Sequence, residues 1–417
     1  MKKKVIWIAV CALVLWLAAA VGAAAADPSG DCGENVRWTL AGDGTLKITG
    51  EGDMTDYVTD GEPASPFAAL RGKISAVEIG EGVTSVGDNA FYEHTGITGV
   101  TLPNGLERIG DGAFYYCREL KEIAVPDSVT EIRRRAFRSC LALETISLPE
   151  GVERIGEKAF EDTAWYAAQP DGPVYLNRAL LNYKGEMPRQ ATVDVKEGTL
   201  LIADSAFWSC GQMAGVTLPE GLLHIGESAF WECDGLTELS FPEGTRTIGE
   251  RAFYCCRSLR KAELPRGLTV LGASAFSGCN ALKSVFVPDS VTEIGAEAIP
   301  AGTTVVGYSG TYAQQYCAQM GLSFKVRNDQ YAPETTTAPE GQRALAQRRK
   351  DVGAVVACVA AGILGIGAAV GLYIIRSGRE DEDDEPVPDE DEPDGEFPEE
   401  DDAADEPEEP EEPEEAE

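Results

Sequence analysis

One dipeptide at a fixed step constrains this chain more than any other feature. Ala-Phe begins at Ala90, Ala113, Ala136 and Ala159, then at Ala206, Ala229, Ala252 and Ala275, always 23 residues apart within a block. Ala298-Ile299 is an altered ninth copy, and the gap from Ala159 to Ala206 is 47 residues, two steps plus one. Self-similarity at such a period is the signature of a solenoid, so the repeat takes precedence over any local assignment.

One unit runs from Leu120 to Cys140 and another from Leu259 to Cys279. Alternating Ile123 and Val125 read as a short half-buried strand, and Pro126 ends it because proline lacks the N–H a ladder needs. Val129, Ile132, Ala136, Phe137 and Cys140 follow at spacings that suit a compact coil returning to the next strand. A single coil cannot bury its apolar face, whereas stacked coils share one continuous core. The expected fold is a solenoid of short parallel strands in 23-residue coils, with capping segments at both ends.

Residues 27–73 are the expected N-terminal cap, in which Val36 to Gly50 reads as a hairpin turning at a Gly-rich loop. Residues 74–326 are the solenoid with its C-terminal cap, the cap being a short helical stretch and a final strand within Gly307 to Val326. Between the blocks, about 163–196, the consensus fails. Val174, Tyr175, Leu176 and Tyr183 suggest a hairpin in about one coil's slot, either a functional insertion or a degenerate coil.

This repeat resembles the BspA-like leucine-rich-repeat family of bacterial surface proteins. The resemblance runs from about Gly30 to Val326 and includes the Cys-Gly-Glu-Asn opening at Cys32 and the Gly-Tyr-Ser-Gly segment at Gly307. It implies a curved solenoid on a bacterial cell surface, with adhesion to host proteins or other cells as in some members of that family.

The ends agree with export. Lys2, Lys3 and Lys4, an apolar run from Val5 to Leu17, and Ala24 and Ala26 form a secretory signal, residues 1–26. After a spacer at 327–351, the uncharged stretch Val352 to Ile375 is long enough for one transmembrane helix. Its Gly367 and Gly371 form a small-xxx-small pair through which two copies could make a homodimer. Arg343, Arg348, Arg349 and Lys350 precede the span and only Arg376 and Arg379 follow it, which alone favours a cytoplasmic upstream side. A cleaved signal overrides that bias. The expectation is a single-pass protein with the repeats outside and the tail, 376–417, inside.

Net charge matters only once it is located. Of the formal −35, the stretch Glu380 to Glu417 carries −25 with no basic residue, leaving −10 for the rest. Such a tail buries too little apolar surface to fold, and its composition predicts disorder. No basic patch is present to attract nucleic acid, so none is expected as a partner.

Cys117, Cys140, Cys210, Cys233, Cys256 and Cys279 all stand three residues after the repeat phenylalanine, with His94 and Thr163 in the same slot elsewhere. That register reads as a core ladder of buried thiols acting as small hydrophobes. No C-x-x-C pair points to zinc, so no metal or cofactor is expected. With two histidines, His94 and His224, and no nucleophile elbow or P-loop, the chain reads as a non-enzyme. The residue after each phenylalanine is more telling. Tyr92, Tyr115, Arg138, Trp208, Trp231 and Tyr254 fall in one phase and form a stripe along one side. Such rings either anchor a partner or pack over the turn beneath them. Outward strand positions, including Thr101, Glu122, Thr145, Ser147, Thr217, Glu238 and Lys261, make a small and polar sheet face. The expected function is recognition or adhesion toward a host or cell-surface protein or glycan. The alternative is a self-associating structural envelope protein.

Overall fold

The structure is a computed structural model that describes residues 27–59 and 61–327. The signal (1–26), most of the spacer, the span with Gly367 and Gly371, and the acidic tail lie outside the described residues. Among the described residues no helix is long and apolar enough to cross a membrane.

The chain winds as a β-solenoid with two short strands in each regular coil. Glu122–Ala124 pairs in parallel with Thr145–Ser147, Glu122 opposite Thr145, and buries only its central Ile123. A second ladder joins Arg108–Ile109, Glu131–Ile132 and Arg154–Ile155, each isoleucine opposite the next. Alternation at period two sends one residue of each strand inward, and the 23-residue step repeats that choice in every coil.

The repeat phenylalanines fill the centre. Phe67, Phe91, Phe114, Phe137 and Phe160 stack with ring centroids 5.1–5.5 Å apart, and Phe207, Phe230, Phe253 and Phe276 repeat the arrangement at 5.0–5.3 Å. Phe67 falls in the segment assigned to the N-terminal cap, yet it is the first ring of the column, with Trp38 edge-on at 5.8 Å. The sequence boundary at residue 73 therefore divides what packing joins, because Pro66-Phe67 lacks the Ala-Phe signature. At the other end, helix Tyr312–Met320 buries Ala313, Tyr316 and Cys317, and Phe324–Val326 adds a last parallel strand.

A recurring glycine lets the coils approach. A Cβ on Gly249 would lie 2.7 Å from Glu227 N and from Gly226 C, and one on Gly226 would lie 2.6 Å from Asp204 N. The constraint is close backbone contact rather than an unusual φ.

The two blocks are joined by the segment where the consensus fails. Helix Ala164–Ala167 starts at Thr163, whose Oγ1 accepts from Tyr166 N at 3.0 Å. Lys184 Nζ donates to the carbonyls of Tyr166, Ala167 and Gln169, at and just past the helix end where intrahelical donors run out. The antiparallel hairpin Gly172–Leu176 and Ala179–Lys184 turns at Asn177-Arg178, with Asn177 at φ 52°. Its second strand pairs in parallel with Leu201–Ile202 and so starts the second block's ladder. Leu181 packs into the first block's core and Leu180 into the second's.

Candidate functional site: the aromatic column and the break between the blocks

The stripe residues sit where the turn following each phenylalanine meets solvent. Trp208, Trp231 and Tyr254 form a continuous stack, with centroids 4.6 and 4.2 Å apart and planes 8° and 27° from parallel. Trp208 leads it and is 48% exposed, the largest exposed aromatic surface of the column, while the other two are half-buried. In the first block Tyr92 stacks on Tyr115 at 5.0 Å, and Tyr115 leans on Tyr116, over which Arg118 places its guanidinium at 4.6 Å. Arg138 continues the phase with charge, pairing with Glu161 at 2.9 Å and Asp162 at 3.4 Å. The six residues thus form two separate runs, and the second ends on an open indole face at the block boundary. On the flank, Thr101, Glu122, Thr145, Ser147, Thr217, Glu238 and Lys261 are all exposed.

The cysteine slot has more chemistry than a packing position needs. Cys117, Cys140, Cys233, Cys256 and Cys279 are buried, and each Sγ donates to the carbonyl of the phenylalanine one coil back, at 3.1–3.4 Å. His94 fills the same need, its Nε2 lying 2.9 Å from Phe67 O. Reading the thiols as plain hydrophobes missed this donor role, which the mixed occupancy by cysteine, histidine and threonine already signalled. Cys210 differs: it follows the break, is only partly buried, and donates to no carbonyl among the described residues. Burial pushes the Cys140 thiol up to about 12 and the Cys210 thiol up to about 11. All cysteines of the described residues are free thiols. Cys32 and Cys317, outside the repeat register, are buried in the caps.

Between the blocks a cleft of about 390 Å³ opens, floored by Ile155, Phe160 and Leu181 and walled by Tyr166, Asn182 and Trp208. Asn182 Nδ2 donates to Tyr166 Oη at 2.8 Å, while its buried Oδ1 has no hydrogen-bond partner among the described residues. At the rim Asp204 is held by Arg154, and burial raises its carboxyl pKa against the lowering effect of that guanidinium. Tyr166, Asn182 and Asp204 were not singled out from the sequence, although the failing consensus marked their neighbourhood. Burial likewise lowers the pKa of both histidines, His94 against a carbonyl and His224 against Thr247 Oγ1 at 2.9 Å. They lie in different blocks. No group of three or more His, Cys, Asp or Glu among the described residues could hold a metal ion.

The family model described as a BspA type leucine rich repeat region matches in six copies, over residues 65–167 and 200–304. No curated protein matches. Among solved structures, a leucine-rich repeat protein from Eubacterium ventriosum is 19% identical, covering 67% of this chain and 95% of its own, with a TM-score of 0.34. A leucine rich cell surface protein from Faecalibacterium prausnitzii is 25% identical over 70% of this chain and 98% of its own, with a TM-score of 0.32. The pneumococcal vaccine antigen PcpA is 17% identical over 72% and 99%, with a TM-score of 0.34. The repeat model covers both blocks, stops at the hairpin between them, and follows the coils traced above; the chain belongs to the BspA-type leucine-rich-repeat family.

Proposed function

We propose that this chain is a surface-displayed recognition protein that binds a host or cell-surface protein or glycan through its solenoid, without catalysis. The observation that carries the reading is the Trp208–Trp231–Tyr254 stack, which holds three large rings in fixed register along the coil edge. Rings already ordered by stacking lose little entropy when a partner covers them, and aromatic side chains dominate binding energy at protein interfaces. The long polar flank from Thr101 to Lys261 supplies the extended surface that solenoids offer to macromolecules. The sequence of the two ends adds the display: an export signal, then one membrane span at 352–375 with the acidic tail inside.

The test is a binding screen of the full chain against immobilised matrix glycoproteins, mucins and cell-wall polymers. A variant with Trp208, Trp231 and Tyr254 changed to Ala runs beside it. Saturable binding that the folded variant loses supports the reading. Concentration-dependent assembly of the chain, with no ligand bound by either form, replaces it with the self-associating envelope protein.

A further inference from the structure

The junction between the two blocks lacks one rung of the backbone ladder that every regular junction contains. In the coils of Phe91, Phe114, Phe137, Phe207, Phe230 and Phe253, three amides at alternate residues donate to three carbonyls of the next coil. Asn89, Phe91 and Glu93 donate to Asp111, Ala113 and Tyr115, for example, and all these bonds measure 2.7–3.0 Å. The matching amides in the Phe160 coil are those of Lys158, Phe160 and Asp162. Among the described residues no carbonyl or side chain accepts from any of the three. The hairpin that stands in the next coil's place serves only the far side, where Tyr183 N takes Ala206 O at 2.9 Å. Asp204 O and Trp208 O, on either side of that acceptor, receive no amide among the described residues.

The same gap interrupts the side-chain columns. Phe137 stacks on Phe160 at 5.5 Å, and the next ring pair is Tyr183 with Phe207 at 6.4 Å and tilted by 42°. Trp208 leads its stack and is 48% exposed at the cleft wall, with Glu161 rather than a ring in the preceding position. The cleft of about 390 Å³ between these edges lies within the size range of specific ligand sites.

We propose that this break is a receptor for one extended peptide segment of a partner protein, which lies along the Phe160 coil and supplies the missing rung. The inference rests on the recognition reading above and names the chemistry of the partner. An extended strand presents carbonyls on one edge at every second residue, the same alternation as the amides of Lys158 and Phe160. Its own amides on the opposite edge supply the donor that the buried Asn182 Oδ1 lacks. A flat apolar side chain of the peptide covers the open face of Trp208, as Trp231 covers the other. Backbone hydrogen bonds then give affinity for many sequences, and Trp208 with the apolar floor selects among them. Saccharide hydroxyls also donate and accept, but they carry no two-residue alternation.

The test uses the full chain and a library of random-sequence decapeptides, with a glycan array as the second probe. Ser205→Arg is the blocking variant. Ser205 lines the cleft at φ 58°, and Arg135 and Arg251 occupy the same coil position at φ 56° and 52°, so the fold accepts an arginine there. Lys73→Ala, exposed near the N-terminal end and outside both the cleft and the polar flank, is the control. The expected result is selected peptides that bind the full chain and Lys73→Ala equally and bind Ser205→Arg at least tenfold more weakly. They also slow hydrogen exchange at the amides of Lys158 and Phe160. Peptides that bind Ser205→Arg undiminished, or leave those amides exchanging as before, overturn the proposal. So does a glycan that protects the amides while no peptide does. A chain that captures no peptide yet loses a glycoprotein ligand when Trp231 and Tyr254 are replaced refutes the peptide site and leaves the recognition reading standing. If it binds nothing at all, both fall.

Discussion

Arg154 Nε donates to Asp204 Oδ2 at 2.9 Å across 50 residues of sequence, and this contact fastens one repeat block to the other. The same guanidinium reaches Glu131 on the coil before it and Glu227 on the coil after Asp204, at 3.4 and 2.9 Å. Asp204 Oδ1 meanwhile accepts from Glu227 N at 2.8 Å, so the carboxylate serves both the block joint and the coil ladder.

Removal of Arg154 leaves a carboxylate whose side chain is only 7% exposed without its cation. Arg154→Met should lower stability by about 1–3 kcal/mol, less than a fully buried pair because water reaches the guanidinium. The pH dependence has a definite sign. Burial raises the Asp204 pKa, and losing Arg154 raises it further. A carboxyl with a raised folded pKa contributes stability below its unfolded pKa and loses that contribution as pH rises through the folded value. The gap between Arg154→Met and the parent should therefore be widest at pH 7 and narrow toward pH 4. Urea midpoints at each pH measure it, and Asp204→Asn in the Arg154→Met background should restore most of the loss.

The cysteine slot predicts a graded series. Cys140→Ala removes the donor to Phe114 O and leaves a small void, which should cost about 1–2 kcal/mol. Cys140→Ser keeps a donor and should cost less. Cys210→Ala breaks no such bond and should be close to neutral in the same denaturation assay. Alkylation at pH 8 gives an independent check. Folded protein should leave the buried Cys117, Cys140 and Cys233 unmodified, since burial holds these thiols protonated and out of reach. Unfolded protein should label at all of them.

Close coil approach separates glycines that otherwise look alike. Gly249→Ala places a Cβ 2.7 Å from backbone of the preceding coil and should destabilise by about 1–3 kcal/mol. Gly105→Ala meets nothing within 4 Å and should be nearly silent. Equal effects in thermal unfolding would show that the coils can slide apart without cost.

These particulars mark what could be read before the structure. The Ala-Phe step displayed the phenylalanine column, because a ring every 23 residues has one place to go when coils stack. The first-ladder strands showed as alternation around Ile123. The second ladder did not, because Glu131–Ile132 is only two residues long and alternation needs more. Phe67 escaped notice because proline replaces the alanine before it. The donor role of the cysteine slot depends on a carbonyl 26 residues back, which only the winding brings near. The break was legible as a failure of consensus, but its open amides were not. Whether an amide has a partner is a property of the coil that follows it, and here that coil is replaced by a hairpin.

The aromatic column yields the last expectation, one that tests its geometry apart from any ligand. Two indoles 4.6 Å apart and 8° from parallel couple their transitions, so the chain should show an exciton couplet in its circular dichroism. Trp208→Ala and Trp231→Ala should each abolish that indole–indole couplet, since either change leaves one indole in the stack. Their stability effects should differ. Trp231 has rings on both faces, at 4.6 and 4.2 Å, so its removal breaks two stacking contacts worth about 0.5–1.5 kcal/mol each. Trp208 has a ring on one face only and should cost about half as much. A spectrum that neither Trp208→Ala nor Trp231→Ala alters would mean the two indoles are not stacked in solution, and the ordered edge on which the recognition reading rests would be lost.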